Sequence, residues 1–189
     1  MSAMKTRSFP SSSAFRAWLV KEHARADGLL LRIYKKTSAV ASVTYAEALD
    51  QALCFGWIDA QKLPLDGVSW IQTFKPRRPR STWSKKNTEH AERLIKSGDM
   101  TDAGHSEVRA AKADGRWSSA YDSPATATVP KEFLERLARS RKASAMYATL
   151  NRANLYAIAY RLQTAKREET RLKRMQAIID MLARGEKFH

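Results

Sequence analysis

Two runs, WIDAQKLPL and VSWIQTFK, meet at Asp66-Gly67, and this juncture constrains the fold more than any other part of the chain. Asp-Gly between apolar-rich runs signals a tight antiparallel hairpin, because both turn residues tolerate positive φ. Alternation puts Trp57, Asp59 and Gln61 on one face of the first strand, with Ile58 and Ala60 on the other. The second strand groups Trp70, Gln72 and Phe74. Pro64 cannot donate to a ladder, so the first strand is expected at a sheet edge. A third strand is expected over residues 29–36, LLLRIYKK, bounded by Gly28 and a polar turn.

Helical signals surround this sheet. Ser12 is expected to cap a helix over residues 13–26, with Phe15, Trp18 and Leu19 inward and Gly28 as its stop. Thr44 and Glu47 spell a capping box ahead of a helix over 45–55 that ends at Gly56. Ser84 is the expected N-cap of a helix reaching Lys96, with Ala91, Leu94 and Ile95 inward. Thr101 starts another, running to about Asp114. The first ten residues read as loose, and RWSSAYDSPATATVP has no periodicity and reads as a linker. Beyond it, Pro130, Ser140 and Asn151 open three helices, and a fourth runs over about 168–184. The expected fold class is α+β. An N-terminal unit over 12–117 holds helices and a small antiparallel sheet, made of one strand plus a hairpin. A linker over 118–129 follows, then a basic all-helical bundle over 130–187.

Charge narrows the partners. Among 189 residues the net charge is +15, with a pI near 10.2. Its distribution is uneven: +3 over residues 1–74, +6 over 75–96, −2 over 97–130 and +8 over 131–189. Such a field concentrates anions, whether small molecules, acidic partners or nucleic acid. One cysteine, Cys54, allows neither an internal disulfide nor a cysteine-based metal site. The four histidines lack metal-ligand spacing, and no nucleophile-elbow, Walker or dinucleotide glycine motif occurs. Neither cofactor, metal nor catalytic residue is therefore expected. No secretory signal core and no apolar run near the ~20 residues of a membrane helix occurs, so a cytoplasmic protein without transmembrane segments is expected.

One cluster carries the functional expectation. Arg77, Arg78 and Arg80 sit between and beside Pro76 and Pro79, which restrict the loop, and guanidinium forks suit phosphate or carboxylate. The helix start at Ser84, Lys85 and Asn87 offers free amide groups to an anion, and Trp83 a flat surface for a ring. The bland alternative is a solvated loop whose arginines pair with carboxylates of the chain. Asp59, between Trp57 and Gln61, reads first as an ion-pair partner for a nearby arginine and second as a general base. Cys54 reads as a small buried hydrophobe. Arg161, Lys166, Arg167, Arg171, Lys173 and Arg174 form either a binding stripe or a solvated helix face.

The wording is that of a known family. SVTYAEALDQALCFGWIDAQ, FKPRRPRSTWSKKN, LIKSGDMTDAGHSEVRAAKADGRWSSAYDSP and TAKREETRLKRMQAIIDMLARGE resemble the YdeI/OmpD-associated, or bacteriocin-protection, family, from about residue 29 to residue 185. Ala60 stands where the family motif FGWIDGQ has glycine, and Asn151-Arg152-Ala153-Asn154 where members commonly show SNR. The resemblance implies a small cytosolic bacterial protein tied to stress or bacteriocin protection, and supplies no catalytic residues. Trp57, Asp59, Gln61, Arg77, Arg78, Arg80, Trp83, Ser84 and Asn87 match its pattern. Three readings follow: a non-enzymatic binder of an anionic ligand or partner, a nucleic-acid binder using the loop and the C-terminal helices, or a small enzyme on a phosphorylated or carboxylate substrate.

Overall fold

A computed structural model describes residues 4–189, which divide into two compact units. The first comprises residues 4–81 and 87–117, and the second residues 82–86 and 118–189. The fold is α+β, with the sheet in the first unit and four helices in the second.

The sheet has four strands, β1 (Thr6–Arg7), β2 (Leu29–Tyr34), β3 (Trp57–Pro64) and β4 (Ser69–Pro76), in the order β1-β2-β4-β3. β2, β4 and β3 are antiparallel, while β1 pairs parallel to β2. The sheet is therefore mixed, and part of the N-terminal stretch expected to be loose is its edge strand. A two-residue strand is too short to show any period. The hairpin closes at Asp66-Gly67, where the Asp66 carboxylate accepts from the Val68 and Ser69 amides and the Ser69 hydroxyl. β3 and its Pro64 lie at the edge, as a missing donor requires.

β3 is not a regular strand. The register slips between Asp59 and Lys62, so a bulge at Ala60 and Gln61 breaks the alternation that grouped Gln61 with Trp57 and Asp59. Buried Gln72 fills the gap, its side-chain amide donating to the Ala60 and Gln61 carbonyls at 3.3 and 3.5 Å.

Helix α1 (Ser12–Glu22) and α2 (Tyr45–Cys54) pack on one another, and α2 also packs on β3. Phe15 of α1 meets Phe74 of β4, ring centroids 5.9 Å apart, within a core that includes Leu19, Leu31 and Leu49. The N-cap of α1 is Ser11, one residue before the expected Ser12. α2 carries its capping box: Thr44 Oγ1 accepts from the Glu47 amide, and the Glu47 carboxylate accepts from the Thr44 amide. α1 ends at Glu22, four residues short of expectation. The His23 carbonyl accepts the Trp57 indole N–H at 3.1 Å, which diverts it from the helical ladder. Residues 23–27 are thereby released as a turn beside the sheet.

α3 (Lys85–Lys96) and α4 (Asp102–Ala113) follow. Ala91 and Leu94 of α3 are buried, whereas Ile95 is half-buried. Thr101 precedes α4 without capping it; its hydroxyl donates instead to the Cys54 carbonyl at 2.6 Å.

In the second unit α5 (Lys131–Leu137), α6 (Arg141–Ala148), α7 (Arg152–Gln163) and α8 (Glu168–Ala183) enclose Phe133, Ile158, Leu162, Met175 and Leu182. Ser140 and Asn151 cap α6 and α7 with their side chains. Residues 118–129, expected as a linker, group with this unit. Tyr121 forms a parallel bridge with Ser84, and Arg152 donates to the Pro124 and Ala125 carbonyls. Among the described residues, no helix is long and apolar enough to cross a membrane.

Candidate functional site

The released turn after α1 and the loop leaving β4 form the two walls of a groove of about 960 Å³ in the first unit. His23, Arg25 and Asp27 line it from one side; Lys75, Arg77 and Arg78 line it from the other. Both walls are fixed from behind. Trp57 holds the His23 carbonyl, while the Arg77 amide donates to the Gly56 carbonyl at 3.1 Å. The loop then folds back, with the Ser81 amide donating to the Arg78 carbonyl and Arg80 at φ 64° in the left-handed region. Arg116 secures its end: the buried guanidinium is held by the Asp114 carboxylate and donates to the Ser81 carbonyl at 2.9 Å.

The charge of the groove is mostly uncompensated. Arg25, Lys75 and Arg78 make no ion pair or side-chain hydrogen bond among the described residues, although Asp27 lines the same groove. Arg77 is buried to 6 % exposure, with Nη1 facing the Ser81 hydroxyl at 3.5 Å. Three cations converging without carboxylate partners raise the potential of the space between them, where a bound anion would replace water.

Only part of the expected constellation gathers here. Arg77 and Arg78 line the groove, and Trp57 supports it from inside the core. Trp57 is 1 % exposed, edge-on to Trp18, and so offers no surface to a ligand. Asp59 accepts a hydrogen bond from the Tyr45 hydroxyl at 2.8 Å and pairs with no arginine among the described residues, contrary to expectation. Its strand face turns toward α2, which explains the partner. Gln61 is exposed at the bulge, and Arg80 is exposed outside the groove lining. Asn87 is buried on α3.

Trp83, Ser84 and Lys85 belong to the second unit, and each has structural work there. Trp83 is buried at 2 % exposure, and its carbonyl accepts the Tyr121 amide at 3.0 Å. The Lys85 amide donates to the Tyr121 carbonyl, so the first N–H of α3, expected to face an anion, is already satisfied. The Lys85 ammonium pairs with Asp122 at 2.7 Å.

Sequence reasoning missed Arg25, Lys75 and Arg116. Arg116 stood in a stretch read as linker. Arg25 falls within the helix expected over residues 13–26, and no local pattern shows that the helix stops at Glu22 or that a core indole captures the next carbonyl.

Residues 7–107 match the family model described as a domain of unknown function, DUF8412. The chain belongs to that family. Residues 126–185 match a second model, described as bacteriocin-protection, YdeI or OmpD-associated. The YdeI/OmpD-associated kinship is thus carried by the C-terminal segment, while the groove lies largely within the DUF8412 match. No curated protein and no solved structure matches the chain.

Within the YdeI/OmpD-associated segment the basic stripe is largely engaged. Arg171 pairs with Glu132 at 2.6 Å and Lys173 with Glu169 at 2.6 Å. Arg174 donates to the Arg161 carbonyl, and the Arg161 guanidinium lies 3.9 Å from the Phe188 ring centroid. Lys166 and Arg167 remain without side-chain partners among the described residues.

Proposed function

We propose that this protein binds a small anionic ligand, phosphate- or carboxylate-bearing, in the groove between the post-α1 turn and the Pro76–Pro79 loop, without catalysing a reaction on it. The observation that carries this reading is the convergence of Arg25, Lys75 and Arg78, uncompensated by ion pairs, beside Arg77. An anion placed there gains charge-assisted hydrogen bonds from walls whose backbone is already braced, so the ordering cost is confined to the side chains. The YdeI/OmpD-associated match supports a role for such binding in bacteriocin protection.

The other readings draw less support. A base at Asp59 would need to reach the groove, yet Asp59 does not line it and is held by Tyr45. A nucleic-acid face on the C-terminal helices would need a continuous run of free cations, and Arg171 and Lys173, within that stripe, already pair with carboxylates.

The test is calorimetric titration with pyrophosphate against the wild type and an Arg25→Ala/Lys75→Ala/Arg78→Ala variant. Arg25 and Arg78 are exposed and Lys75 half-buried, so the fold tolerates the change. Binding that weakens about tenfold or more, and that in the wild type falls with added salt, is the expected result. Equal affinity in the two proteins would reject the groove.

A further inference from the structure

The groove has a neighbour of mixed charge with an aromatic wall. Met4, Arg25, Ala26 and Asp27 line both the groove and a second cavity of about 250 Å³, which adds Trp18, Glu22, Lys5 and Arg7. Trp18 is half-buried: it packs on Phe15 and edge-on to Trp57, yet lines this cavity. The Glu22 and Asp27 carboxylates have neither ion pair nor side-chain hydrogen bond among the described residues. A bare inorganic anion gains less here than in the groove, because Glu22 and Asp27 stand among Lys5, Arg7 and Arg25 and repel it. Carboxylates interspersed with Lys5 and Arg7 next to an indole suit a neutral ligand part that both donates and accepts hydrogen bonds and carries a flat ring. Arg25 and Asp27, shared by the two cavities, mark where the ligand's anionic part gives way to its neutral part.

We propose that the ligand is a nucleoside phosphate. Its phosphates lie among Arg25, Lys75, Arg77 and Arg78, its ribose hydroxyls donate to Asp27, and its base packs against Trp18 near Glu22. This assignment rests on the anion-binding reading of the groove and adds a substrate class to it.

The experiment uses the full chain and titrates pyrophosphate, ribose 5-phosphate and the four common ribonucleoside diphosphates. At least one diphosphate is expected to bind about tenfold tighter than both smaller probes, a margin of ~1.4 kcal/mol. Asp27→Asn and Trp18→Phe should each erase that margin. Asp27→Asn should tighten pyrophosphate binding slightly, because it removes a negative charge from the border. Asp27 is exposed on a turn, so this variant keeps the test valid even where Trp18→Phe disturbs the core. Diphosphates that bind no better than pyrophosphate would overturn the nucleotide assignment and leave the anion groove standing. A margin that survives both substitutions would overturn it too, by placing the base elsewhere. Failure of every probe, pyrophosphate included, would instead remove the anion reading beneath it.

Discussion

Gly104 is the position where one added methyl group meets the least yielding neighbours. A Cβ there would sit 2.5 Å from the Cys54 carbonyl oxygen and 2.8 Å from that of Leu53, and would also strike the Met100 sulfur. Those carbonyls end α2, and Thr101 already binds one of them, so the first turn of α4 rests directly on backbone. Gly104→Ala should cost about 1–3 kcal/mol through overpacking, read as a lower urea midpoint. A wild-type midpoint would mean that α4 slides freely on α2. Cys54 makes a second prediction at this scale. Burial pushes its thiol above the ordinary cysteine range, with Arg16 offsetting only part of the effect. Thiolate is the reactive form, so Cys54 should label slowly with an aromatic disulfide reagent at neutral pH and rapidly once the chain is unfolded in urea. Fast labelling of the native protein would contradict the enclosed packing around α2.

Among the elements, α2 was the most legible, because its signal is local. Thr44 and Glu47 are three residues apart, and their reciprocal bonds need no tertiary partner. Thr44→Ala should therefore cost about 0.5–2 kcal/mol, with Thr44→Ser restoring most of it, as measured by urea unfolding. Equal stability of the alanine variant would show that packing alone holds α2. The hairpin was legible for the same reason, since Asp66 satisfies the turn with its own side chain. The end of α1 and the bulge in β3 were not. The first depends on Trp57 reaching back to His23, and the second on Gln72 reaching across to a neighbouring strand. The groove divides along the same line. Arg77 and Arg78 stood out as a proline-flanked cluster, whereas Lys75 and Arg25 converge only through the pairing of Leu29 with Phe74. That pairing lays Gly28 so close beneath Lys75 that a Cβ at residue 28 would lie 3.1 Å from its Cγ. Trp57 and Trp83 could be read as aromatic, but burial is a property of the assembled core, and it turned expected surfaces into supports.

For the molecule as a whole, the charge of +15 does not translate into a uniformly basic surface, because many cations are committed inside their own unit. Lys85 is the plainest case. The chain leaves the first unit after Ser81, contributes residues 82–86 to the second, returns for α3 and α4, and enters the second unit again at Ser118. Within the second unit Asp122 ties these two segments together: it pairs with Lys85, accepts from the Gln163 side-chain amide at 2.7 Å, and donates its backbone amide to the Gln163 side-chain oxygen Oε1. The Lys85 hydrogen bond, aided by Gln163, holds the Asp122 carboxyl below its ordinary range despite partial burial. A carboxyl whose folded pKa is depressed stabilises the fold above its unfolded value, about 3.9, and that contribution is lost as pH falls through the lower folded value. Asp122→Asn keeps the shape but removes the charge. It should lower the urea midpoint at pH 7, and the gap to wild type should narrow as the medium is acidified below about pH 4, because wild-type Asp122 then becomes neutral as well. Lys85→Met, which removes the other partner, should lower the midpoint at pH 7 and show the same narrowing. A gap that stays constant from neutral to acidic pH would mean that the carboxylate's charge contributes nothing, and that the Ser84–Tyr121 bridge and the burial of Trp83 hold residues 82–86 in the second unit without it.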